Sequence, residues 1–114
     1  MKILLCEDNL MWSVRVKNGL VALGHEPVKD EAEADLAIVS LSARAFDPFE
    51  TVAKLKERGV PTICHVGHKE KDLWKRGEEA GCDQVVSNGS LANRLEAVLA
   101  GLPVKCPTQP EDEE

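Results

Sequence analysis

Four short runs with an apolar centre, KILLC, DLAIVSL, VPTICHV and DQVVS, and a shorter one, EPV, alternate along this chain with segments of helical period. That alternation restricts the fold more than any single residue does. A strand that is apolar at every position has to be covered on both faces, which is the signature of a parallel sheet whose strands are joined by crossover helices. Leu10–Leu23 carries a broad apolar face of Val14, Val16, Leu20, Val21 and Leu23 and stops at Gly24. In DPFE, Asp47 can cap, Pro48 suits a first helical position and Glu50 can return a bond, so a helix starts there and ends at Arg58–Gly59. A third helix is expected over Lys69–Ala80. A fourth is expected over Ser90–Ala100, with Leu91, Leu95, Val98 and Leu99 on one face and Gly101 and Pro103 beyond it. Five strands and four helices in β-α order predict a doubly wound, five-stranded parallel α/β sheet. At 114 residues the chain holds one core. Residues 1–101 read as the domain, and 102–114, proline-bearing and ending in EDEE, as a disordered tail.

Charge and composition narrow the function. Twenty acidic against 14 basic residues give a net charge of -6, which disfavours a polyphosphate partner, so no nucleic acid is expected. Carboxylates at Glu7 and Asp8 interrupt the N-terminal apolar run before it reaches signal-peptide length, and no run approaches the roughly 20 apolar residues of a membrane span. A cytoplasmic protein with no membrane contact is the expectation. Cys6, Cys64, Cys82 and Cys106 form no C-x-x-C pair and no ligand spacing with His25, His65 and His68, so reduced thiols are expected.

In a parallel sheet of this type ligands gather at the carboxyl ends of the strands. There the chain places Glu7 and Asp8, then Ser40, then Val66 and Gly67, then Ser87 and Asn88. The layout resembles a response-regulator receiver domain of the CheY type. CEDN matches the family's acidic pair, DLAIVS its D-L-x-x-x-D, PTICHVG its fourth strand, and GCDQVVSNG the start of its G-A-D-x-x-x-x-K-P. The resemblance implies strand order 2-1-3-4-5, and it implies that Ser40 stands at the phosphoacceptor aspartate, Val66 at the hydroxyl residue and Asn88 at the lysine. Every departure falls on chemistry. A receiver needs a carboxylate nucleophile and a magnesium ion to neutralise phosphoryl oxygens, so Glu7, Asp8, Ser40, Val66 and Asn88 read as a vestigial pocket.

Glu7 and Asp8 are the candidates for a cation, but neighbouring strand residues point apart, so no metal is assigned. Ser40 lacks the G-x-S-x-G elbow of an activated serine, and His65 and His68 read as surface or loop histidines. No catalytic residue and no cofactor is assigned. Where the family has a full second crossover helix, only KDEAEA separates Val28 from Asp35, enough for one helical turn at most. A sheet face beside the second strand is therefore expected to lie partly uncovered. Function is expected in contacts with an unidentified protein partner, or with a second copy, through that uncovered face or through the face the family commonly uses: Trp74, Lys75, Glu78, Asn93 and Arg94. The rival readings are a receiver that keeps phosphorylation or magnesium through Glu7 and Asp8, and a small-ligand-binding α/β domain.

Overall fold

The computed structural model describes residues 1–67 and 69–100. The expected tail at 102–114, with Cys106, Gly101, Pro103 and His68, lies outside the described residues. The elements are β1 (Lys2–Cys6), α1 (Leu10–Ala22), β2 (Glu26–Val28), a 3₁₀ turn (Glu31–Glu33), β3 (Leu36–Ser40), α2 (Pro48–Glu57), β4 (Thr62–Val66), α3 (Lys71–Glu79), β5 (Gln84–Ser87), α4 (Asn88–Asn93) and α5 (Leu95–Ala100). The five strands form one sheet in the order β2-β1-β3-β4-β5, every pair parallel, as expected.

Strand parity divides the core into two layers. Ile3, Leu36, Ile38, Ile63 and Val86 point to one face and pack with Val16 and Leu20 of α1, Leu91 of α4, and Leu95 and Val98 of α5. Leu4, Ala37, Val39, Cys64, Val66 and Val85 point to the other and meet Val52 and Leu55 of α2. β3 and β4 are buried at every position, which is why their sequences are largely apolar without alternation. Each large aliphatic side chain buried here contributes about 1.5–3 kcal/mol by leaving water.

Local chemistry sets the helix ends. Asn9 accepts from the Trp12 amide at the start of α1, and Asp47 accepts from the Phe49 and Glu50 amides with Pro48 next to it at the start of α2. Two helices differ from expectation. α3 is shorter, Lys71–Glu79, and its N-cap residue Glu70 makes no side-chain cap bond. The expected Ser90–Ala100 helix begins at Asn88 and is divided at Arg94 (φ -130, ψ 37) into α4 and α5. Asn88, Gly89, Ser90 and Asn93 give this run weak helix propensity, so its course follows the packing of Leu91, Leu95 and Val98 on the sheet.

Between β2 and β3 the chain makes the single turn its length permits. Asp30 accepts from the Ala32 amide at 2.9 Å, and Glu31 pairs with Arg58 at the end of α2 at 2.8 Å. The sheet face beside this turn is better covered than expected: Leu4 is buried, and Cys6, Val28 and Ala34 pack partly against the α2 layer. Exposed large apolar side chains lie on α1 instead, with Leu10 80%, Met11 82%, Val14 56% and Val21 60% accessible.

The cysteines also differ. Cys64 and Cys82 form a disulfide, with Cα atoms 6.3 Å apart and a sequence separation of 18. The left-handed turn at Gly81 (φ 91) follows α3, and Cys82 then lies on the same core layer as Cys64. No spacing rule signals such a pair. Cys6 is unpaired among the described residues.

Candidate functional site

The same parity that builds the core layers aims side chains at the carboxyl edge of the sheet. Ser40 follows Leu36 and Ile38, His65 follows Ile63, and Asn88 follows Val86, so all three belong to the α1/α4/α5 face; Glu7 follows Ile3 and Leu5. Ser40 and His65 are register partners across β3 and β4, and both are buried. His65 had been expected at the surface, and it is instead the centre of the cluster. Its Nε2 lies 2.8 Å from Glu7 Oε1, with the two side chains only 2% and 3% exposed. Its Nδ1 lies 2.6 Å from Asn88 Oδ1. The other Glu7 oxygen accepts from the Asn9 amide at 3.0 Å.

Nε2 and Oε1 lie close, yet neither buried atom makes a hydrogen bond of good geometry. A carboxylate oxygen and an imidazole nitrogen thus face each other at contact distance out of water, and the ring is held between Glu7 and the Asn88 amide.

The remaining pocket residues diverge. The Asp8 carboxylate turns outward and accepts from the Arg44 amide at 2.7 Å and the Ala45 amide at 2.9 Å. The Ala45 and then the Arg44 amide hold its carboxyl below the usual range. Val66 belongs to the opposite layer with Val39 and Cys64. The structure thus brings together Glu7, Ser40 and Asn88 around His65 and leaves Asp8 and Val66 out of the group. His65 was legible in PTICHVG by counting parity from Ile63, which puts it on the same sheet face.

These residues do not fit the divalent cation of a receiver. One acidic side chain is committed to an imidazole, the other to two backbone amides, and the position between them in the sheet offers a hydroxyl where a carboxylate is needed. Among the described residues no three His, Cys, Asp or Glu side chains gather closely enough to hold a metal ion.

On the other side of the same edge lies a cavity of about 380 Å³ between the β3–α2 loop and α3. Glu70 crosses its mouth, accepting from Ser42 Oγ at 2.6 Å and from the Gly67 amide at 3.0 Å. Arg76 lies over the Phe49 ring, 4.2 Å from its centroid.

The proposed contact residues fall into two groups. Trp74, Lys75 and Glu78 are on α3, with Trp74 half-buried against the α2/α3 layer. Asn93 and Arg94 are at the end of α4, where Asn93 accepts from Arg15 of α1 at 3.1 Å. The two groups flank the edge strand β5 from opposite faces of the sheet.

No protein-family model matches the sequence, and no curated protein matches it either. Solved structures do. A response regulator from Burkholderia pseudomallei, described with a phosphorylated aspartic acid, calcium ion and citrate, superposes with a TM-score of 0.71 at 15% identity over 86% of this chain, which spans 65% of that protein. The signal receiver domain of a modulated diguanylate cyclase from Desulfovibrio desulfuricans gives 0.70 at 19% identity, covering 87% of this chain and 90% of that one. A CheY-like receiver domain protein from Methanospirillum hungatei gives 0.66 at 17% identity over 99% and 98%. Strand order, helices on both sheet faces and these neighbours agree: the chain has the fold of a response-regulator receiver domain.

Proposed function

We propose that this chain is a pseudo-receiver: a non-catalytic, cytoplasmic signalling or regulatory module that acts through contact with another protein. One observation carries the reading. The acidic pair that would hold a cation is consumed internally, Glu7 by His65 and Asp8 by the Arg44 and Ala45 amides, while the residue at the phosphoacceptor position is the buried Ser40. A serine hydroxyl without an adjacent free base is a far weaker nucleophile than an aspartate, and His65 is already paired.

The contact face is proposed on either side of β5, with Trp74 as its aromatic anchor and Lys75, Glu78, Asn93 and Arg94 around it. A second surface is favoured by the exposed stripe of α1. Leu10, Val14 and Val21 fall on one line of the helix, which also carries Lys17 between Val14 and Val21, and there is no acidic residue among Leu10–Ala22. A second copy of the chain is a candidate for either surface.

The test is incubation with acetyl phosphate and magnesium followed by intact-mass measurement. The expected result is no stoichiometric phosphoryl gain. A gain abolished by Ser40→Ala would overturn the reading.

A further inference from the structure

Of the three longer helices, α3 is the most weakly held to the sheet. It buries a single residue, Gly77, whereas α1 buries Val16 and Leu20, and α2 buries Pro48, Val52 and Leu55. Its N-terminus has no side-chain cap, because Glu70 is drawn to Ser42 and to the Gly67 amide. Half-buried Leu73, Trp74 and Ala80 supply the rest of its packing. One contact is covalent: Cys82, just past the end of α3, is bonded to Cys64 in the fully buried centre of β4. The 18-residue separation encloses the whole helix, so the bond ties both ends of α3's excursion to the same strand.

We propose that the Cys64–Cys82 pair is a reversible thiol–disulfide switch that sets how firmly α3 is held to the sheet. In the reducing compartment proposed above, a disulfide is more often transient and regulatory than a permanent staple. The two sulfurs are unequal in the way exchange needs. Cys82 is half-buried, so its sulfur is the one nearer to solvent, while Cys64 is fully buried in β4. A thiolate of glutathione attacks the Cys82 sulfur; the sulfur–sulfur bond breaks and Cys64 leaves as a thiolate that takes a proton. A second glutathione thiolate attacks its own sulfur in the mixed disulfide and releases Cys82. The pair gains two electrons and two protons, and two glutathiones become glutathione disulfide. Excess glutathione disulfide drives the same steps backwards. Cys6 does not compete for the exchange: burial, then the negative charge of Glu31, pushes its thiol up to about 11, so it stays protonated and unreactive at neutral pH.

Released from Cys64, α3 is held by the close seat of Gly77 on Leu41 and by its half-buried side chains. It should open more often while the β1–β3–β4 core stays closed. The consequence for signalling rests on the proposed partner face, since Trp74, Lys75 and Glu78 ride on this helix. The loosening itself is measured with no partner present, so each can fail without the other.

The test is hydrogen–deuterium exchange of the full chain after equilibration with glutathione disulfide or with reduced glutathione, with intact mass reporting the gain or loss of two hydrogens. The expected result is at least about tenfold faster exchange along residues 71–79 in the reduced chain, a much smaller change in β1 and β3, and recovery on re-oxidation. Cys82→Ser should match the reduced chain in both conditions; the buried Cys64 thiol it leaves is a small hydrophobe that the core accommodates. Equal exchange in both redox states would overturn the proposal. So would loss of protection throughout the sheet on reduction, which marks a staple of the whole fold, or failure of glutathione disulfide to close the bond.

Discussion

Glu7 and His65 occupy a position where water cannot replace a lost partner. Removing one member leaves a buried charge or donor uncompensated, so Glu7→Gln is expected to lower unfolding free energy by about 3–5 kcal/mol in denaturant melts. Glu7→Gln combined with His65→Gln should cost less than the sum of the two single changes; strict additivity would show that the pair is not coupled. Cys6 gives a pH-dependent prediction of known sign. Its folded thiol is raised from 9.0 to about 11, chiefly by burial and then by Glu31, so the neutral form is the one the fold prefers. The stability this confers is whole below pH 9 and is lost as pH rises towards 11, an effect of at most about 2 kcal/mol that Cys6→Ala should remove from the alkaline limb of a stability profile. At this scale the sequence was least legible. Asp8 and Glu7 are adjacent and chemically alike, yet one is buried against an imidazole and the other faces the Arg44 and Ala45 amides. Only the three-dimensional path of the loop after β3 separates them.

Secondary elements were far more legible, because strand burial on both faces and helix capping are local or nearly local properties. The largely apolar, non-alternating character of LAIVS and TICHV marks the central strands, and Asp47–Pro48 marks the start of α2. The division of α4 from α5 was not legible, since Leu91, Leu95 and Val98 keep helical spacing across the break. The pairing of Cys64 with Cys82 depends on the placement of α3 relative to β4, which no sequence spacing encodes. Close approach at α3 makes its own prediction. A methyl group at Gly77 would come 2.6 Å from Leu41 Cδ1 and 3.4 Å from Val85 Cγ2, so Gly77→Ala should cost about 1–3 kcal/mol despite the better helix propensity of alanine. A neutral or stabilising result in thermal melts would mean that Leu41 moves aside freely.

Across the whole molecule charge and apolar surface are unevenly distributed. The chain carries a net -6, yet most of the exposed large apolar residues sit on a helix whose only charges are Arg15 and Lys17. Replacing Val14 and Val21, both exposed, by lysine should leave the melting temperature within about 2 °C of the parent while abolishing any self-association seen by light scattering through this stripe. Association that survives, and is lost with Trp74→Ala, would place the contact at the α3 side of β5. The turn at Glu31–Glu33 has a different consequence. Only residues 29–35 bridge the end of β2 and the start of β3, crossing over β1, and the Ala32–Glu33 step is open to solvent. The connection is near its minimum length but unconfined above, so its tolerance of length change is one-sided. A few glycines and serines inserted after Glu33 should fold without loss, whereas deleting a single residue should pull β2 from the sheet edge. This crossing is the place where the domain can grow, by a designed helix or a grafted peptide, without disturbing the pairing of its four other strands.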